Sequence, residues 1–384
     1  MRIGIDYTAA ARQRAGIGRY TRELISALLA LEDGLEGLRQ YVVFAATGGL
    51  KPETWNLKPS ARVRVRTIPL TDDWLARLWH RLRLPIPVEV ITGPLDVFYS
   101  PDFVLPPTLL STRTLLTVHD LSFLHYPEAF VPPLRRYLER VVPRSIARAD
   151  LVLADSAHTR SDIVSHFGVS PDKIEVLYSG FAARFRPEPE PGERERLQAR
   201  YGIADRPYVL SVGTLQPRKN YARLIHAFSA LKPATIKPGS QLVIAGGRGW
   251  LYDDILAAAE EHGERVRILG FVDEADLPAL YRSAALFAFP SLYEGFGLPV
   301  LEAMACGVPV VCSNASSLPE VVGDAALLVD PFDVDGLSGA MGHVLEDEGL
   351  RGEMVARGIA QAARFTWDGA ARQLLAVFDV LGRM

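Results

Sequence analysis

Thirteen short apolar segments that alternate with helical patterns predict an α/β protein made of two doubly wound parallel sheets. Three observations carry that expectation. The strand–helix alternation runs through the chain twice. Several strand segments are apolar at nearly every position, as strands covered by helices on both faces are. A stretch rich in proline and glutamate separates the two series.

The first series comprises Arg2–Ile5, Tyr41–Phe44, Val63–Ile68, Val97–Tyr99, Leu115–Val118, Leu151–Ala154 and Ile174–Val176. The second comprises Tyr208–Val212, Leu242–Ala245, Val266–Leu269, Leu286–Phe289, Val308–Cys312 and Ala326–Val329. Between them, Arg186–Glu195 holds three prolines and four glutamates in ten residues, a composition that reads as an interdomain linker over 186–199. This gives a first domain over 1–185 and a second over 200–365. The tail from Thr366 to Met384 reads as a helix, with Trp367, Ala371, Leu374, Leu375 and Phe378 at helical spacing.

Composition narrows the function. The chain has 384 residues, 48% hydrophobic and 23% charged, which excludes a disordered protein, and its two cysteines exclude a disulfide scaffold. With 42 basic and 45 acidic residues the net charge is −3, against a dedicated nucleic-acid binder. The halves differ: up to Glu190 there are 24 Lys/Arg and 21 Asp/Glu (+3), and beyond it 18 and 24 (−6). No apolar run approaches the roughly 18–20 residues that span a bilayer, and Asp6 interrupts the place where a signal peptide is apolar. The expectation is a cytoplasmic protein of two domains.

In doubly wound sheets ligands bind beyond the carboxyl ends of the strands, so the loops there matter most. The strand Tyr208–Val212 runs into Gly213-Thr-Leu-Gln-Pro-Arg218-Lys219-Asn220, with Asn220 placed to cap the next helix. Adjacent cations just before a helix N-terminus suit a phosphate, although a solvated basic turn has the same sequence. The strand Leu286–Phe289 runs into Pro290-Ser-Leu-Tyr-Glu294-Gly-Phe296-Gly297-Leu298-Pro299, and Glu302 follows one turn inside the helix. Glycines at 295 and 297 let the backbone approach a ligand, and the two carboxylates can accept hydrogen bonds from different hydroxyl groups of one elongated ligand. In the first half, Gly16-Ile-Gly18 opens the helix Thr21–Leu31, and His119 ends the strand Leu115–Val118. A tight turn and a structural histidine are the plain readings of these two. The remaining histidines show no metal-ligand spacing, and Cys306 and Cys312 read as small buried residues.

Taken together, these loops resemble retaining glycosyltransferases of family 4, which have the GT-B fold: two Rossmann-like doubly wound domains facing across a cleft. The resemblance covers nearly the whole chain. It rests on the Glu-x7-Glu run from Glu294 to Glu302, on Val212–Asn220 (VGTLQPRKN), Ile244–Trp250 (IAGGRGW), Leu269–Val272 (LGFV) and Pro319–Pro331. VGTLQPRKN and AGGRGW are similar to a mannosyltransferase-like branch that uses GDP-mannose in polysaccharide synthesis.

The resemblance implies a set of roles. Lys219 grips the donor diphosphate, with Arg218 supplying a second cation where many members carry an arginine at the position of Thr214. Gly16, Gly297 and Leu298 also approach the phosphates. Glu294, with the backbone of Phe296 and Gly297, faces the transferred sugar. Glu302 holds the ribose, Gly270 and Phe271 meet the nucleobase, and His119 stands near the donor sugar, so that His119 and Glu294 are the catalytic candidates. Where members often read Asn-Gly-Val, this chain has Ser179-Gly180-Phe181. The C-terminal helix, 366–384, is implied to pack back on the first domain. No cofactor or metal is expected, and no Asp-x-Asp motif falls in these loops. The implied partners are a nucleotide-sugar donor and a saccharide or lipid-linked acceptor. UDP-glucose or UDP-N-acetylglucosamine remain alternative donors. A sugar-nucleotide epimerase shares the paired-domain fold but not this motif set, and a silent nucleotide-binding scaffold would have lost some of these residues.

One segment has another use. In Asp72–Leu84, Trp74, Leu75, Leu78, Trp79 and Leu82 share a helical face with Arg77, Arg81 and Arg83 largely off it. That pattern fits a helix packed on the first domain's core, and it also fits an anionic membrane surface.

Overall fold

The computed structural model describes residues 1–13, 16–32, 39–49, 62–203, 206–232 and 239–384. The chain divides into two compact units. Unit 1 holds Met1–Leu121, Arg136–Gly180 and Thr366–Met384; unit 2 holds Ser122–Arg135 and Phe181–Phe365.

Unit 1 is built on a seven-stranded sheet of β1 (Arg2–Asp6), β2 (Gln40–Ala46), β3 (Val63–Ile68), β4 (Val97–Ser100), β5 (Arg113–Val118), β6 (Leu151–Ala154) and β7 (Ile174–Val176). Its order is β3-β2-β1-β4-β5-β6-β7 with every pair parallel. Unit 2 repeats the plan in six strands: β8 (Tyr208–Val212), β9 (Gln241–Ala245), β10 (Val266–Gly270), β11 (Leu286–Phe289), β12 (Val310–Ser313) and β13 (Leu327–Val329), in the order β10-β9-β8-β11-β12-β13. Each sheet therefore has one switch point, β1/β4 in the first and β8/β11 in the second, where a ligand site is expected.

The near-continuous hydrophobicity of the strands has its structural counterpart in unit 2. Leu210, Val243, Ala245, Phe287, Phe289, Val310 and Cys312 point into one core, and Val209, Leu242, Ile244, Leu286, Ala288 and Val311 into another. Side chains alternate across a strand, so both faces of this sheet are dry and both sets of positions must be apolar.

Three local expectations are revised. The helix after Gly16 begins at Ile17, not Thr21, and runs to Glu32. The stretch expected to be a linker is part of unit 2: Phe185 is buried in its core, and a helix over Glu193–Tyr201 buries Leu197. Glu193, nearly buried, pairs with Arg282 at 2.5 Å from 89 residues away, a partner that local composition does not reveal. The third revision concerns the Asp72–Leu84 segment. After one α-turn, Asp72–Leu75, the chain widens to a π-helical stretch over Ala76–Arg81, with Leu82 N donating to Arg77 O at 2.8 Å. The wider turn breaks the single apolar face: Leu75 and Trp79 are buried, whereas Trp74 is 51% and Leu82 64% exposed.

The C-terminal helix, Trp367–Leu381, buries Ala371, Leu374 and Phe378 and packs on the helix Ile17–Glu32 within unit 1. The Gln373 amide donates to Val176 O, and Arg39 binds Asp379.

Candidate functional site

In unit 2 the residues of interest come from the loops after β8 and β11, the two strands at the switch point. The loop after β8 is a tight one. A Cβ on Gly213 would stand 3.1 Å from Lys219 Cε and 2.9 Å from Tyr221 Oη, so the backbone here must be glycine for Lys219 to fold over it. Pro217–Lys219 makes one 3-10 turn, and Asn220 follows with φ +60. Asn220 stands at the helix N-cap position, yet its side chain does not cap the helix. With the backbone left-handed there, its amide instead donates to Pro290 O at 3.0 Å and Pro331 O at 2.6 Å, tying this loop to those after β11 and β13.

The loop after β11 is held from the far side. Leu292 N donates to Arg218 O at 2.9 Å, Ser316 Oγ accepts from Glu294 N at 2.8 Å, and Ser317 Oγ donates to the carbonyls of Glu294 and Phe296. Gly297, at φ +107, turns the chain into the helix Leu298–Ala305, and a Cβ there would lie 2.6 Å from Leu318 Cδ2. Gly297→Ala is expected to cost about 2 kcal/mol, from a left-handed backbone plus that clash, read as a lowered urea midpoint at unchanged slope. Phe296 directs its ring into the core against Phe365, 5.6 Å between centroids, so only its backbone remains for a ligand.

These loops bring Arg218, Lys219 and Glu294 together. Lys219 Nζ donates to Glu294 Oε1 at 2.6 Å and stands 4.8 Å over the Phe289 ring. Arg218 pairs with Glu294 Oε2 at 3.0 Å and also donates to Tyr293 O. All three side chains are nearly buried. Burial pushes the Glu294 carboxyl up, but the charges of Arg218 and Lys219 outweigh it and hold it at about 2. The cluster is thus two cations about one carboxylate, with one positive charge in excess, at the carboxyl end of a parallel sheet.

Glu302 is placed differently. It is fully buried in the helix Leu298–Ala305, and its Oε2 accepts from Tyr281 Oη at 3.1 Å. Gly270 ends β10 at φ +72, and the Phe271 ring beside it is 49% exposed, a flat apolar face of the kind on which a base stacks.

In unit 1, Gly16 has φ +58 with open space where a Cβ would stand, and its carbonyl accepts from Tyr20 N. The rings of Tyr20 and His119 pack edge to face, 4.8 Å between centroids. His119 is buried, its Nδ1 2.7 Å from Asp155 Oδ2 and its Nε2 3.1 Å from Pro101 O. Both ring nitrogens are therefore engaged inside unit 1, and a nitrogen contact to a sugar would require one of these bonds to break. Asp155 was not legible as a partner: it lies at the end of the neighbouring strand β6, 36 residues on. Ser316 and Ser317 were missed because small polar residues in loops carry no periodic signal, and Tyr281 because an aromatic residue in the helix Leu277–Arg282 reads as core.

Residues 193–361 match the family model described as glycosyl transferases group 1, and residues 14–184 match that of glycosyltransferase family 4. The chain is similar to the O-antigen chain mannosyltransferase B of Escherichia coli, 40% identical over 288 residues, covering 74% of each chain. It is also similar to the serotype-specific mannosyltransferase WbdA of Escherichia coli, 33% identical over 285 residues, 72% of this chain and 34% of that one. Among solved structures, sucrose-phosphate synthase from Thermosynechococcus elongatus superposes with a TM-score of 0.75 at 22% identity over 99% of both chains, a likeness of fold.

Proposed function

Because this chain belongs to glycosyltransferase family 4, a hexosyltransferase on two Rossmann-like GT-B domains, we propose that it moves mannose from GDP-mannose to a saccharide or lipid-linked acceptor, with retention and without a metal ion. The observation that carries this is the cluster of Lys219, Arg218 and Glu294 at the β8/β11 switch point. Choice of mannose is supported by the mannosyltransferase names of the relatives.

Breaking a glycosyl–phosphate bond leaves negative charge on the departing diphosphate while the sugar becomes oxocarbenium-like. Two unit charges about 4 Å apart interact by about 4 kcal/mol at an effective dielectric near 20. Lys219 and Arg218 supply such charge from a fixed, nearly dry position, so little reorganisation accompanies the reaction. Glu294 stays ionised throughout the working pH range and accepts from the sugar hydroxyls. It does not act as nucleophile in this reading; the departing phosphate oxygen takes the acceptor's proton on the same face. Glu302 takes the ribose hydroxyls, Gly270 and Phe271 the base, and the backbone of Gly297 and Leu298 the phosphates.

The test is turnover of GDP-mannose, UDP-glucose and UDP-N-acetylglucosamine with and without a chelator. Release of GDP with an α-linked product, unchanged by chelation, is the expected result. Stabilisation and turnover by uridine nucleotides alone would reject mannose transfer, and an altered free sugar without acceptor would point to an epimerase.

A lipid-linked acceptor implies a membrane surface. No helix among the described residues is long and apolar enough to cross one. The exposed apolar side chains Trp74, Leu82, Leu84 and Ile86 lie beside exposed Arg77, Arg81 and Arg83, which supports contact with anionic headgroups. The expected outcome is sedimentation with phosphatidylglycerol vesicles at low salt and release at high salt. Equal behaviour with neutral vesicles rejects the contact.

A further inference from the structure

We propose that Asn220 is the positioning residue of Lys219: its side-chain amide ties the turn that carries the lysine to two other loops, and so holds the ammonium where a diphosphate oxygen meets it. The proposal rests on the reading of Lys219 as a phosphate ligand; the tie itself lies wholly within unit 2.

Asn220 follows the 3-10 turn Pro217–Lys219 with φ +60, a left-handed backbone that asparagine accepts more readily than most residues with a Cβ. It is 4% exposed, and its side-chain hydrogen-bonding groups are engaged. The carbonyls of Pro290 and Pro331 can only accept, so Nδ2 faces both, at 3.0 and 2.6 Å. Arg223 can only donate, and its Nη1 does so to Asn220 Oδ1 at 2.8 Å. Three partners therefore agree on one orientation of the amide. Arg223 also stands 5.0 Å over the ring of Phe332, the residue after Pro331, which closes a circuit back to the loop after β13.

Each end of the tie bears on the lysine. Pro290 directly follows Phe289, whose ring lies 4.8 Å from the ammonium, so the bond to Pro290 O sets the lysine turn against that ring. The bond to Pro331 O reaches the edge strand, and one side chain thus spans the carboxyl ends of β8, β11 and β13. The Lys219 N–H bonds within its own turn, to Gln216 O at 3.1 Å, so what fixes the turn fixes the lysine. Arg218 is held separately: its carbonyl accepts from Leu292 N at 2.9 Å, and its guanidinium binds Tyr293 O and Glu294.

Position matters because an ammonium bonds a phosphate oxygen over a narrow range of distance, and the interaction weakens steeply outside it. A turn that the ligand itself has to order binds that ligand more weakly than one already in place. An aspartate of the same size would not serve, since its ionised side chain would set an acceptor against two acceptors.

The experiment uses the full chain and inorganic pyrophosphate as the probe, with binding followed by calorimetry below the thermal transition of each variant. Asn220→Gly keeps a residue that accepts the left-handed backbone and removes only the amide. Its affinity for pyrophosphate should fall about tenfold, the size of one or two net hydrogen bonds. With whichever nucleotide sugar the enzyme turns over, kcat should fall about thirtyfold, because a slightly misplaced catalytic group is costly. Since the effect passes through the lysine, adding Asn220→Gly to Lys219→Ala should change the affinity by less than about twofold. Arg223→Met leaves Asn220 in place but removes the donor to its Oδ1; it should lose about threefold, again only while Lys219 is present. Equal losses from Asn220→Gly with and without Lys219 mean that the asparagine is merely structural and overturn the proposal. Unchanged affinity in Asn220→Gly overturns it as well, as does unchanged affinity in Arg223→Met where Asn220→Gly does not fold. A wild type that binds no pyrophosphate, or binds it equally well without Lys219, rejects the phosphate reading itself and this inference with it, so the two failures are distinguishable.

Discussion

Lys219→Ala is expected to lower kcat/KM by about a thousandfold, with most of the loss in kcat. The ammonium is held 2.6 Å from Glu294 and 4.8 Å over the Phe289 ring, nearly out of water, so its charge is screened little. Arg218 remains in the variant, and because it is already committed to Glu294 and to Tyr293 O it cannot move into the place of the lysine. An interaction that strengthens as the diphosphate departs should show in kcat more than in KM. Steady-state kinetics over a range of donor concentration make the division. A loss confined to KM would mean that Lys219 only anchors the donor. The fold should survive, since Glu294 keeps one cation, and an unchanged thermal transition is the control.

Removing the carboxylate has a different consequence. Glu294→Ala removes the carboxylate shared by Arg218 and Lys219, two nearly buried like charges, and breaking a buried pair this way costs about 3–5 kcal/mol. The expected readout is a two-state unfolding curve for unit 2 at a distinctly lower denaturant midpoint. The pH dependence has a definite sign. The folded carboxyl titrates at about 2 against 4.5 for the free group, so its contribution is complete above 4.5 and disappears as pH falls toward 2. Over that window the wild type should lose on the order of 3 kcal/mol that Glu294→Gln does not lose. Identical acid limbs for the two proteins would show that the ion pairs contribute nothing to stability. A nucleoside diphosphate would compete with the carboxylate for the same two cations, so added GDP should recover part of the stability of Glu294→Ala.

The site was partly legible. Arg218 and Lys219 beside a helix start, and Glu294 between two glycine turns, were visible as unusual loops after apolar strands. Their mutual contact was not, because 75 residues separate Lys219 from Glu294. The staple through Asn220 was read as an ordinary cap, and only the positive φ of that residue turns its amide toward Pro290 and Pro331. The amphipathic segment after Thr71 was read with a 3.6-residue period, and a π-helical stretch of six residues alters which side chains are covered.

Local chemistry by itself determined the thirteen strands, the double winding and the identity of the two chemistry-bearing loops in unit 2. A strand covered on both faces has to be apolar throughout, and a turn that lets the backbone near a ligand has to be glycine, so both leave a record over a few neighbouring residues. Which charges meet was decided by tertiary structure alone. Strands that are neighbours in a parallel sheet are joined through long crossovers, so the loops sharing one edge, such as those of β8 and β11 or of β5 and β6, are distant in the chain. The counter-ion of Lys219, the burial of Glu302 against Tyr281, the partner of Glu193 and the partner of His119 all depend on that adjacency.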